Sequence, residues 1–265
     1  MNRRKFLTTA GIVLAGGLFL PKVIRGKNLT DRLKTFSKEI NHYKSDKADR
    51  DLYLIYQKHA VTANIGFSER FEQESIRESI ECQKNIYRIL ENLYHNKKIN
   101  LITLEGLSKN YLNDIYNFTS HISKEKWNYL QRLEQGDDSL LKAFLERSSI
   151  HSGALLIGEN YPKLLFTGWE ERENLDLSDK LMQKFIRSKR TSTIEIDNLC
   201  HIRSKNSIEN SLVIGNILFD KRYISNKNCA IIIGYAHKKD YESLTEKIEN
   251  NQTHYNLIEI TPKGI

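Results

Sequence analysis

Five short, largely apolar runs recur along the chain at Leu52–Tyr56, Ile99–Leu104, Leu164–Phe166, Ala230–Ile233 and Leu257–Ile260. They are too short for helices and mostly lack the in–out alternation of a strand with one face in water. Such runs read as strands buried on both faces, which is the habit of a parallel sheet covered by helices. Between them lie helix-period segments. In Phe71–His95 the apolar residues Ile76, Ile80, Tyr87, Leu90 and Tyr94 return at the spacing of one helical face. Asp176–Arg187 and Lys239–Ile248 are further candidates, and Tyr111 to Leu145 forms a helical middle section. The expected fold class is therefore α/β: a largely parallel central sheet of about five strands flanked by helices, with a helical insertion between the second and third strands.

The first 26 residues stand apart. Arg3, Arg4, Lys5, Lys22 and Arg25 lie there without a single acid, around a mild apolar run from Phe6 to Leu20. That run is too short to cross a hydrocarbon core of about 30 Å as a helix, and it reads as an export signal or an uncleaved anchor. Asn2-Arg3-Arg4-Lys5-Phe6-Leu7 resembles the twin-arginine motif, which implies export of a folded chain. The expected location is periplasmic or extracellular, with membrane contact only through an uncleaved amino-terminal segment. Residues 27–265 then form one α/β domain.

The segment also accounts for most of the net charge. The whole chain carries 41 basic and 33 acidic side chains, formally +8; without those five bases, 36 remain against 33, about +3. The remaining bases are interspersed with acids, as in Lys238-Lys239-Asp240, which is the pattern of solvated faces, so nucleic acid is not an expected partner. Cys82, Cys200 and Cys229 show no C-x-x-C spacing and give no zinc ribbon. They allow one Cys200–Cys229 bridge in an oxidising compartment, but buried free thiols are the expected state, since free cysteine is among the most buried residue types.

In open parallel sheets ligands bind at the carboxyl ends of the strands. Four of the expected strands run into chemistry-bearing residues there: His59 after the first, Glu105 in Thr103-Leu104-Glu105-Gly106, Glu170 in Thr167-Gly168-Trp169-Glu170, and His237 in Gly234-Tyr235-Ala236-His237. Two imidazoles and two carboxylates at one edge can hold a divalent metal and leave a position for water.

These residues resemble the Tiki/TraB/GumN group, whose wider superfamily includes the ChaN-type haem-binding proteins and the erythromycin esterases. The resemblance rests on an apolar strand ending in x-x-x-His, a strand ending in Glu-Gly, a later Gly-x-Glu, and Ile231-Ile232-Ile233-Gly234-Tyr235-Ala236-His237. Arg203 and Asn206 in His201-Ile202-Arg203-Ser204-Lys205-Asn206 match its Arg-x-x-Asn segment, which opens the helix before that last strand. Tyr56 stands where the group's first motif has glycine.

The resemblance implies His59, Glu105 and His237 as metal ligands (zinc, manganese or cobalt) and Glu170 as the catalytic base, a role Glu105 could exchange with it. It implies Arg203 as a binder of a substrate carboxylate or oxyanion, the alternative being an ion pair with Glu105 or Glu170. Asn206 would be an orienting or helix-capping amide. The implied activity is metal-dependent hydrolysis of a peptide, amide or ester bond in a small-molecule or peptide substrate. The competing reading is a ChaN-type haem- or iron-binding protein with Tyr53, Tyr56, Tyr235 or a histidine as axial donor, or a binding protein that keeps only the fold.

Overall fold

The computed structural model describes residues 28–58, 69–109, 153, 154, 157, 161, 163–188 and 193–265. In chain order its strands are β1 (Ser37–Tyr43), β2 (Asp51–Gln57), β3 (Leu101–Ser108), β4 (Leu165–Glu170), β5 (Cys229–Gly234) and β6 (Asn256–Pro262). Its helices are α1 (Leu29–Phe36), α2 (Glu69–His95), α3 (Arg172–Ser188), α4 (Thr193–Asp220) and α5 (Glu242–Glu249), the last preceded by a 3-10 segment, Tyr235–Tyr241.

The strands form one sheet in the order β1-β6-β2-β5-β3-β4. All neighbours pair in parallel except β1, which lies antiparallel on β6 at the edge. The α/β architecture is thus present, with six strands rather than five. The sixth, β1, reads Ser-Lys-Glu-Ile-Asn-His-Tyr and has no apolar run, because an edge strand half in water needs none and its Lys38 and Glu39 discourage pairing with another chain. The helical insertion and the middle section from Tyr111 to Leu145 lie outside the described residues, as does the segment 1–26. Among the described residues no helix is long and apolar enough to cross a membrane.

Period-two alternation sorts the strand side chains into two layers. Tyr53, Ile55, Ile102, Leu104, Phe166, Ala230, Ile232, Ile258 and Ile260 pack under α1 and α2 with Leu33, Ile86, Ile89, Leu90 and Leu93. Leu52, Leu54, Tyr56, Leu101, Trp169, Ile231, Ile233 and Leu257 pack on the other face with Ile208, Ile214 and Leu218 of α4, and with Tyr241 and Ile248.

Helix α4 escapes the apolar-period reading for a visible reason. Its sheet-facing stripe, one residue every three or four, is Ser204, Ser207, Ile208, Ser211 and Ile214, all buried, whereas Ile202, Val213 and Ile217 are exposed. The buried hydroxyls are satisfied rather than stranded: Ser211 Oγ and Thr103 Oγ1 on β3 are 2.8 Å apart, and Ser207 Oγ meets Tyr241 Oη at 2.7 Å.

The three cysteines are free thiols, Cys82 and Cys229 buried and Cys200 half-buried. Burial pushes the thiols of Cys82 and Cys229 up to about 12, so both stay protonated and unreactive at neutral pH. Burial also raises Cys200, which is the one in contact with solvent. Native protein treated with a small alkylating reagent near neutral pH is therefore expected to be modified slowly at Cys200 only, with Cys82 and Cys229 labelled after denaturation; peptide mass mapping distinguishes the three. Labelling of Cys229 in native protein would contradict its place in the sheet.

Candidate functional site

Because β2, β5, β3 and β4 run parallel, their carboxyl ends share one edge of the sheet, and α4 and the 3-10 segment close over it. Glu105, Glu170, Arg203 and His237 come together there. His59, two residues past the end of β2, lies outside the described residues.

Arg203 is the hub. Its Nε donates to Glu170 Oε2 at 2.7 Å, and its Nη2 donates to Glu170 Oε1 at 2.5 Å and to Glu105 Oε1 at 3.0 Å. The planar fork of the guanidinium matches the two oxygens of Glu170, and its second edge reaches the other carboxylate. A backbone amide adds one donor to each carboxylate. Gly106 N–H donates to Glu170 Oε1 at 2.7 Å, and Gly234 N–H to Glu105 Oε2 at 2.5 Å. Burial works against the charge of Arg203, but the hydrogen bond to Glu170 and the charges of Glu105 and Glu170 outweigh it and hold the guanidinium above its usual range. The ion pair weighed for Arg203 is thus present, to both carboxylates at once. Both oxygens of Glu170 accept from Arg203, which makes this carboxylate an anchor for the guanidinium.

His237 is buried in the first turns of the 3-10 segment. Its Nε2 is 3.4 Å from Glu105 Oε1, and its Nδ1 is 2.7 Å from Ser204 Oγ. Ser204 Oγ is also 2.7 Å from Asp240 Oδ2 and 2.9 Å from the Cys200 carbonyl. Three residues per turn bring His237 and Asp240 to the same side of that segment, facing α4. The sequence reading missed Ser204 and Asp240. The signal was there: Asp240 is three residues beyond His237, and Ser204 directly follows Arg203.

Arg203 and Asn206 lie in the middle of α4 rather than at its opening, so Asn206 caps no helix end. An amide one turn further on does the tethering: Asn210 Nδ2 donates to the Trp169 carbonyl at 2.8 Å and to Glu171 Oε1 at 3.0 Å, either side of Glu170. Lys109 on the end of β3 binds the same Glu171 oxygen at 2.6 Å. These contacts fix α4 against the end of β4 and set the reach of Arg203.

Tyr56, in place of a glycine, fills space rather than leaving it open. Its side chain is fully buried, its hydroxyl donates to Glu259 Oε1 at 2.8 Å, and its ring meets Tyr235 edge-on and Tyr241. Burial, then the Glu259 charge, raises its phenol far above the usual value, so it stays a neutral donor. Tyr53 is likewise buried with its hydroxyl on Asp51, and only Tyr235 of the three tyrosines considered as axial donors is exposed.

Among the described residues no three His, Cys, Asp or Glu side chains gather closely enough to hold a metal ion. Two donors of the expected set, Glu105 and His237, do stand side by side. No protein-family model, curated protein or solved structure matches the chain.

Proposed function

We propose that the chain is an exported metal-dependent hydrolase of a peptide, amide or ester bond, with Glu105, His237 and His59 as the ligands of a divalent zinc, manganese or cobalt ion. The observation that carries this reading is the 3.4 Å between Glu105 Oε1 and His237 Nε2. Two ligand atoms with bonds of about 2.1 Å to one tetrahedral ion stand about 3.4 Å apart. When bound, such an ion would supply a water ionised near neutral pH and a Lewis acid for the scissile carbonyl. Gly234 N–H and Arg203 would orient the Glu105 carboxylate beside the ion. Nη1 of Arg203, which makes no hydrogen bond among the described residues, is the donor for an oxyanion or a substrate carboxylate. Glu170 holds the guanidinium in that position. Export through residues 1–26 rests on their five bases and absent acids.

The test is metal content and calorimetric titration of the full chain with zinc, manganese and cobalt. Wild type is expected to bind one equivalent, and His237→Ala, His59→Ala and Glu105→Gln to weaken binding by about 100-fold or more. A wild-type chain that takes none of the three metals overturns the reading; a haem Soret band on the purified protein would replace it with the haem-binding one.

A further inference from the structure

Ser204 Oγ carries one proton and faces the Asp240 carboxylate, the Cys200 carbonyl and His237 Nδ1, with the Tyr241 hydroxyl also beside it. The first two can only accept. If the hydroxyl gave its proton to Nδ1, two oxygens, Oγ and Asp240 Oδ2, would face each other at 2.7 Å in a buried setting with no hydrogen between them, a costly arrangement. With the proton on the carboxylate side, the bond to Asp240 is charge-assisted, and Nδ1 must then be the donor of its own 2.7 Å contact.

From this chain of donors we infer that Ser204 and Asp240 are positioning residues: they keep the ring proton of His237 on Nδ1 and leave Nε2 bare towards Glu105 Oε1. Nothing else in the described surroundings would choose that tautomer, because Glu105, the neighbour of Nε2, would itself favour a proton on Nε2. The inference names how the proposed metal site keeps an imidazole nitrogen open to a cation and rests on that reading for its purpose, while the tautomer is measurable without any metal.

The experiment is nitrogen-15 NMR of the full chain labelled at histidine, at about pH 8.5, well above the ordinary histidine range. The His237 ring is identified by the signals lost in His237→Gln. Wild type is expected to show a protonated Nδ1 and a bare Nε2. Ser204→Ala removes the hydrogen-bonded acceptor of the Nδ1 proton, leaving the Asp240 carboxylate beyond hydrogen-bond distance at 3.6 Å, and is expected to move the proton to Nε2. Asp240→Asn, close to isosteric, turns the partner of Ser204 into a potential donor, frees the hydroxyl to donate to Nδ1, and is expected to give the same shift. Ser204→Thr keeps the hydroxyl and the wild-type pattern. Protonation of Nε2 in wild type, or a wild-type pattern in both Ser204→Ala and Asp240→Asn, overturns the inference. Zinc alone, titrated into Ser204→Ala and Asp240→Asn, should bind about 10- to 100-fold more weakly than to wild type, and to Ser204→Thr about as tightly. A wild type that binds no zinc sinks the metal reading by itself, whereas an unchanged tautomer sinks this one whatever zinc does.

Discussion

Arg203→Met is expected to lower the unfolding free energy by about 3–5 kcal/mol, the loss that follows when one partner of a buried ion pair is removed and the other charge stays behind. The side chains of Glu105 and Glu170 are 8% and 0% exposed, and Arg203 reaches both, so the substitution strands two carboxylates rather than one. Methionine keeps most of the aliphatic volume, so the loss reports on charge and hydrogen bonds. Arg203→Lys should recover only part of it, since one ammonium cannot match two oxygens of Glu170 and reach Glu105 as well.

The decisive variant combines Arg203→Met with Glu105→Gln and Glu170→Gln. Removing all the charges together should restore most of the loss, because replacing a complete buried charge cluster is far cheaper than halving it. Urea unfolding at neutral pH measures the series. An Arg203→Met protein within about 1 kcal/mol of wild type would mean that the carboxylates are solvated, and the network described above is not formed.

Much of the sheet could be read from the chain because its strands are apolar on both faces. Runs such as Ile231-Ile232-Ile233 leave little else for the backbone to do, and their parallel pairing brings Glu105, Glu170 and His237 to one edge. Where burial is achieved with polar residues the reading fails. Strand β1 pairs through its backbone at an edge, and α4 turns serines to the sheet, so neither carries an apolar signature. The same reason hid Ser204 and Asp240. Their value lies in where α4 meets the 3-10 segment, a contact between residues some 36 positions apart that no local pattern reports. Nor could the sequence show that Arg203 binds two carboxylates at once, because that depends on the angle at which Asn210 ties α4 to the end of β4.

Gly168→Ala is expected to cost on the order of 3 kcal/mol or more, at the upper end of overpacking losses. A Cβ at this position would lie 1.9 Å from the carbonyl oxygen of Leu107 and 2.1 Å from its carbonyl carbon, and backbone cannot swing aside as a side chain can. The close approach has a cause in the pairing of β3 and β4. Leu104 pairs with Gly168 and Ser108 with Glu170, so four steps on β3 match two on β4 and the surplus folds over Gly168 as a bulge. Gly106, at φ +77°, makes that bend in a conformation glycine adopts readily.

The bulge is what aims the site. It turns Gly106 N–H onto Glu170 and presents Glu105 to Gly234 and His237. Forcing a methyl under it should therefore loosen the Glu105–Arg203–Glu170 network along with the strand pairing. Gly106→Ala probes the bend itself, through the left-handed penalty of roughly 1–2 kcal/mol. Urea midpoints should rank wild type above Gly106→Ala and Gly106→Ala above Gly168→Ala. With the bulge displaced, Arg203→Met should cost clearly less in the Gly168→Ala background than in wild type, as contacts that share a backbone shift are not additive. Equal costs in both backgrounds would show that the bulge and the ion network are independent.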